Sequence, residues 1–226
     1  MSSPVLIACS HGTRSRTGRA VVEGLREAVR AARPGLDVQA AQVDVHEPYL
    51  ADVVDRLAGD GREAVVVPLL LSSGYHVRVD IAEAVERGAG RVVAAPALGP
   101  DEVVVDVLLE RLGPVQDAVV LAAAGSSDAQ ARADVDRAVA DLSTRLARPV
   151  TSGFLSAQEP TVADAVAAAR AAGASHVAVA SYLLAPGVFS ARLADAGADV
   201  VAEPLGVHPA LVQLVLDRYD TTLRSS

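Results

Sequence analysis

Two histidines and one aspartate stand where short apolar runs give way to turns. His11 follows Val5 to Cys9, Asp44 follows the run that ends at Val43, and His76 lies in the Ser-Ser-Gly-Tyr-His segment after Ala64 to Leu71. A neutral imidazole binds transition metals or accepts a proton near neutral pH, and a carboxylate does either. Two nitrogens and one oxygen, with coordination positions left open, suit a site that receives a metal ion and passes it on. Taken singly, a strand-end histidine could equally hydrogen-bond a loop carbonyl. The reading therefore depends on the elements that carry the three residues.

Those elements are short β-branched runs alternating with longer amphipathic stretches. The runs are Val5 to Cys9, Asp37 to Val43, Ala64 to Leu71 and Arg91 to Ala95, then Ala118 to Ala123, Val150 to Leu155, His176 to Leu183 and Asp199 to Ala202. Between the first of them, helical spacing links Val21, Val22, Leu25, Ala28 and Val29, and then Val53, Val54 and Leu57. Buried parallel strands joined by crossover helices read this way, which predicts an α/β fold with two mainly parallel four-stranded sheets flanked by helices. In such sheets ligands bind at the carboxyl ends of the strands, the position of His11, Asp44 and His76.

The two sets of four runs are an internal repeat. Ser-His11-Gly12-Thr13 aligns with Ala-Ala124-Gly125-Ser126, and Glu47-Pro48 aligns with Glu159-Pro160. The helix stop at Gly113-Pro114 places the seam there, predicting lobes 1–114 and 115–226. Across the repeat His11 becomes Ala124, His76 becomes Phe189 and Asp44 becomes Ser156. Three coordinated replacements predict a first lobe that keeps a reactive site and a second, degenerate lobe that covers it.

Composition limits the partners. Twenty basic against twenty-eight acidic residues leave a net charge of -8, and every basic residue is Arg, so nothing global attracts nucleic acid or an anionic membrane. No apolar run reaches the roughly 18 residues of a membrane span, and the N-terminus lacks the pattern of a secretory signal. The single cysteine, Cys9, lies inside an apolar run and reads as a small buried side chain; one cysteine also favours a reducing compartment, so the expected location is the cytoplasm. The glycines of Ser10 to Gly18 have neither dinucleotide spacing nor a Gly-Lys-Ser/Thr ending, which excludes a nucleotide site. Arg14, Arg16, Arg19 and Arg78 cluster around the two histidine turns, where guanidinium groups could capture carboxylates of a ligand. His46 shares the segment of Asp44 as a supporting or solvent-facing residue, whereas His176 and His208 read as structural.

On these residues the chain resembles the class II tetrapyrrole chelatases of the CbiX/SirB type, the sirohydrochlorin chelatases, in their long two-lobed form. The resemblance covers nearly the whole chain and rests on Ser10-His11-Gly12-Thr13-Arg14, Val43 to Pro48, and Val67 to Ile81. It implies ATP-independent insertion of a divalent metal substrate, Fe2+ or Co2+, into sirohydrochlorin, in siroheme or cobalamin biosynthesis. His11 and His76 would handle the metal and accept pyrrole protons. Asp44 would stand where the family often has Glu, and Thr13 where it commonly has Ser. The expected substrate contacts are Arg14, Arg78, Ser10, Thr13 and Tyr75, with Leu71, Leu184 and Phe189 as further apolar walls. A monomer with an internal pseudo-twofold repeat is expected. A carrier that binds metal or tetrapyrrole in the same cleft without turnover is the alternative.

Overall fold

The computed structural model of the chain describes residues 3–72, 74–114 and 117–225, without the side chains of Tyr75, His76 and Val77. In chain order the first elements are β1 (Val5–Ser10), α1 (Arg16–Ala32), β2 (Val38–Gln42), α2 (Leu50–Gly59), β3 (Ala64–Pro68), α3 (Tyr75–Arg87), β4 (Val92–Ala94) and α4 (Glu102–Leu112). The same order returns as β5 (Ala118–Ala123), α5 (Ala129–Leu146), β6 (Val150–Phe154), α6 (Val162–Ala171), β7 (Val177–Tyr182), α7 (Val188–Arg192), β8 (Val200–Val201) and α8 (Pro209–Ser225). Two parallel sheets result, ordered β2-β1-β3-β4 and β6-β5-β7-β8. Among the described residues no helix is long and apolar enough to cross a membrane.

All six residues of the central strand β1 are buried, because helices cover both sheet faces. Val5, Ile7 and Cys9 point to one face, where they meet Leu50, Val53, Val54 and Leu57 of α2 and Ile81 and Ala84 of α3. Leu6, Ala8 and Ser10 alternate to the opposite face, the side of α1. In the second sheet Val120, Ala122, Val177 and Val179 pack with Val162, Ala165 and Val166 of α6.

The compact units do not follow the sequence seam at Gly113-Pro114. One comprises Met1–Leu98 with Val207–Ser226, and the other Gly99–Gly206. Helix α4 follows β4 in the chain yet packs on β7, while α8 follows β8 yet packs on β3 and α1. The last helix of each half therefore completes the sandwich around the other half's sheet, which corrects the expected boundaries of 1–114 and 115–226. The physical reason is burial. Val104, Val105, Val107 and Leu108 of α4, like Leu211, Leu214 and Val215 of α8, need an apolar sheet face, and their sequence does not say which sheet. In the first unit α8 is tied further by Tyr219, whose hydroxyl donates to the Pro4 carbonyl at 2.6 Å, and by a bidentate Arg33–Asp220 pair at 2.6 and 2.7 Å.

Candidate functional site

The β1–β2 pairing continues past the strands. The Val43 amide donates to the Ser10 carbonyl and the Asp44 amide to the His11 carbonyl, both at 2.9 Å. His11 and Asp44 thus sit side by side at the carboxyl edge of the sheet, and both are exposed. Gly12 makes this approach possible. Its φ is +99°, and a Cβ there would lie 2.1 Å from the Asp44 carbonyl oxygen. On the other strand Val45 also takes a positive φ of 75°, and its amide donates to Asp44 Oδ1 at 2.6 Å. The His46 amide donates to the Asp44 carbonyl at 2.9 Å, and the Glu47–Pro48 peptide that closes the loop is cis.

On the other side of β1, the Leu69 amide donates to the Cys9 carbonyl at 2.7 Å, so the chain leaving β3 emerges beside β1. His76 was expected in the turn after this strand. Its backbone instead lies in the first turn of α3, behind the N-cap Gly74, because the helix starts at Tyr75. The side chains of His76 and Tyr75 lie outside the described residues. Among the described residues no group of three or more His, Cys, Asp or Glu side chains gathers to hold a metal, and His11 and Asp44 are brought together through their backbones.

Other residues expected at the site fall around this edge. Arg14 is exposed in the turn after His11, and Arg78 is exposed in the first turn of α3. The Thr13 hydroxyl accepts from the Ser15 amide at 3.1 Å, and Ser15 in turn caps α1 by accepting from the Gly18 amide at 3.1 Å. Ser10, expected as a substrate contact, is only 6% exposed and turns its hydroxyl inward to Arg26, because even positions of β1 face α1. It supports the turn from beneath. Leu71 is buried, and in the second unit Phe189 is 37% exposed at the start of α7, with the Arg192 guanidinium 6.0 Å from its ring centre.

The remaining histidines have local roles. His46 Nδ1 lies 2.8 Å from the Glu47 carbonyl, His176 Nδ1 is 3.9 Å from Asp199, and the Ala210 amide donates to His208 Nδ1 at the start of α8. Burial pushes the Cys9 thiol up to about 12, so it is a packed neutral group with almost no thiolate to bind metal.

Sequence reasoning missed Arg26. It is 3% exposed, and its guanidinium donates to the Ala8 carbonyl at 3.1 Å, the Ala41 carbonyl at 2.9 Å and Ser10 Oγ at 3.3 Å. A further N–H reaches Glu23 at 3.3 Å. The Gln42 side chain accepts from the same guanidinium at 3.3 Å and donates to the Pro48 carbonyl at 2.7 Å. Burial pulls the Arg26 pKa below its ordinary value, though a guanidinium remains charged at neutral pH. The signal lay in the helical spacing, since Arg26 falls four residues after Val22 and three before Val29, within the apolar stripe of α1.

The second unit repeats this edge without its histidine and carboxylate. Gly125 takes a φ of +89° against the Ser156 carbonyl, Ala157 has a φ of 58°, and the Glu159–Pro160 peptide is cis. At the positions of His11 and Asp44, Ala124 and Ser156 stand bonded to each other, the Ser156 hydroxyl donating to the Ala124 carbonyl at 2.8 Å.

Comparison with known proteins agrees with this duplication. The family model described as CbiX matches twice, over residues 5–115 and 118–222. A sirohydrochlorin cobaltochelatase of Sulfurisphaera tokodaii is 30% identical over 80 residues, 34% of this chain and 67% of that protein. One from Methanosarcina barkeri is 26% identical over 120 residues, which cover 47% of this chain but 92% of the relative. A nearly whole relative thus corresponds to about half of this chain. The structure of SirB from Bacillus subtilis with Fe3+ aligns with a TM-score of 0.82 at 22% identity, covering 97% of this chain and 95% of that one.

Proposed function

Because the chain belongs to the CbiX family, we propose that it is a sirohydrochlorin chelatase, inserting Fe2+ or Co2+ into sirohydrochlorin without a nucleotide. The observation that carries this reading is the His11–Asp44 turn, held at the carboxyl edge of the first sheet by the 2.9 Å bond between their backbones and absent from the matching edge of the second. Insertion requires removal of two pyrrole protons and presentation of a partly dehydrated metal to the ring. An imidazole serves as ligand and base, and an adjacent carboxylate receives a proton or assists metal delivery. His11 and Asp44 take these roles together with His76, whose backbone lies in the first turn of α3, beyond the end of the neighbouring strand. Arg14 and Arg78 engage ring carboxylates, with Thr13 and Tyr75 as further contacts.

The first unit does the chemistry, and the second is a degenerate repeat lacking the catalytic histidines. The protein acts as a monomer with a pseudo-twofold internal repeat in the cytoplasm, in the siroheme or cobalamin branch according to its metal, with Fe2+ favoured. Anaerobic absorbance of sirohydrochlorin with catalytic amounts of protein tests this, with Fe2+ and Co2+ supplied separately. Multiple turnovers, reduced roughly 10²-fold or more in His11→Ala and in His76→Ala, are expected. A spectral shift that saturates at one equivalent, with no acceleration over the uncatalysed reaction, overturns the reading in favour of a carrier.

A further inference from the structure

Helices α1 and α5 match at a constant spacing: Gly18, Val22, Leu25 and Val29 are buried in one, and Ala131, Val135, Ala138 and Leu142 in the other. The fifth buried position of α1, Arg26, corresponds to Val139. Strand register supplies two more equivalences, since Ser10 pairs with Gln42 in the first sheet and Ala123 with Phe154 in the second. The side chains of Arg26, Ser10 and Gln42 are joined by hydrogen bonds, and all three have apolar counterparts in the repeat.

The fold does not need this polar trio. The second unit builds the same strand-turn-helix edge, with the same positive-φ positions, over Val139, Ala123 and Phe154. Burying a guanidinium is costly, and well-packed apolar groups commonly replace such groups without loss of stability. What distinguishes the first unit is the turn above the trio. Arg26 bonds carbonyls of both strands, at Ala8 and Ala41. Ser10 directly precedes His11, and Gln42 ties the Pro48 end of the loop that carries Asp44. A rigid planar fork can hold several acceptors at fixed angles, which a lysine or an apolar residue cannot do.

We propose that Arg26, Ser10 and Gln42 form a positioning network that holds His11 and Asp44 in the geometry required for metal insertion. This rests on the chelatase reading above. None of the three touches substrate; they act through the two strand ends.

The test gives the first unit the second unit's residues. The full-length triple variant Ser10→Ala/Arg26→Val/Gln42→Phe should fold with a circular dichroism spectrum like wild type, and its kcat for metal insertion should fall about 10²-fold, the scale of a small misplacement of catalytic groups. The KM for sirohydrochlorin should stay within about twofold, because groups that bind the ring are untouched. A folded triple variant with wild-type kcat overturns the proposal. Should the triple variant not fold, Ser10→Ala and Arg26→Lys are read singly; each should lower kcat with KM retained, and wild-type kcat in both overturns it. If the wild-type protein itself gives no turnover, the chelatase reading fails, and the network is judged by NMR. The His11 Cε1–H signal, assigned with His11→Ala, should shift or broaden in the triple variant, or in the two single variants if the triple does not fold. An unchanged signal overturns the proposal.

Discussion

The backbone amide of Asp44 donates to the backbone carbonyl of His11 at 2.9 Å, so that two residues just past the ends of neighbouring strands share one edge of the first sheet. The ladder thus fixes the backbones of a histidine and an aspartate beside each other, whatever their flexible side chains do. The carboxylate is also part of the turn, because Asp44 Oδ1 accepts from the Val45 amide at 2.6 Å.

Asp44→Asn keeps an acceptor for that amide but removes the charge. It is expected to lower kcat roughly tenfold to a hundredfold, with little change in unfolding midpoint. Asp44→Glu, which keeps the charge and the acceptor, should retain most of the activity. Anaerobic insertion rates and thermal melts check both.

Gly12→Ala is expected to damage stability and activity together. The added Cβ would lie 2.1 Å from the Asp44 carbonyl oxygen at a φ of +99°, so the turn must open. A loss of about 1 to 3 kcal/mol in urea unfolding is expected, with strong loss of insertion. Gly125→Ala, against the Ser156 carbonyl at 1.9 Å, should cost comparable stability.

A fragment ending at the sequence seam, residues 1–114, should not fold. It would carry α4, which belongs to the second unit, and lack α8, which belongs to the first. The apolar surfaces of β3 and α1 that α8 covers would meet water. Weak cooperativity on heating is expected for the fragment alone, and recovery of a sharp transition when residues 207–226 are joined to it through a flexible linker.

The Arg33–Asp220 pair gives a pH-dependent contribution of known sign. Bidentate hydrogen bonding from Arg33 holds the Asp220 carboxyl below its ordinary 3.8, so the folded state favours the ionised form. Stability from this group is fully present above its unfolded value and is lost as pH falls through the lower folded value. About a third of each side chain is exposed, so solvent screening limits the effect to under about 1 kcal/mol. Asp220→Asn should therefore melt slightly below wild type at pH 7, with the difference closing in acid and in high salt.

Strand positions and the repeat were legible in the sequence because both depend on local pattern. Fully buried parallel strands read as β-branched runs, and the loss of His11 at Ala124 is visible wherever the runs are aligned. The strand ends were drawn slightly long; Ala64 to Leu71 narrows to Ala64–Pro68, since the chain turns after the proline. The sequence reads Ser-Ser-Gly-Tyr-His as a turn, whereas Gly74 serves as the N-cap of α3 and the helix begins at Tyr75.

By itself, then, the sequence determined two α/β halves, an acidic chain and one edge bearing His11 and Asp44, all of which follow from local periodicity and residue identity. Only the tertiary structure decided which sheet each terminal helix covers, because an amphipathic face specifies apolar contact without naming its partner. The tertiary structure likewise decided that Ser10 turns inward. In a strand buried on both faces, hydrophobic alternation is too weak to reveal direction. Above all it made Arg26, which the sequence reading passed over, a buried fork, since its acceptors on Ala8 and Ala41 belong to strands brought together only by folding.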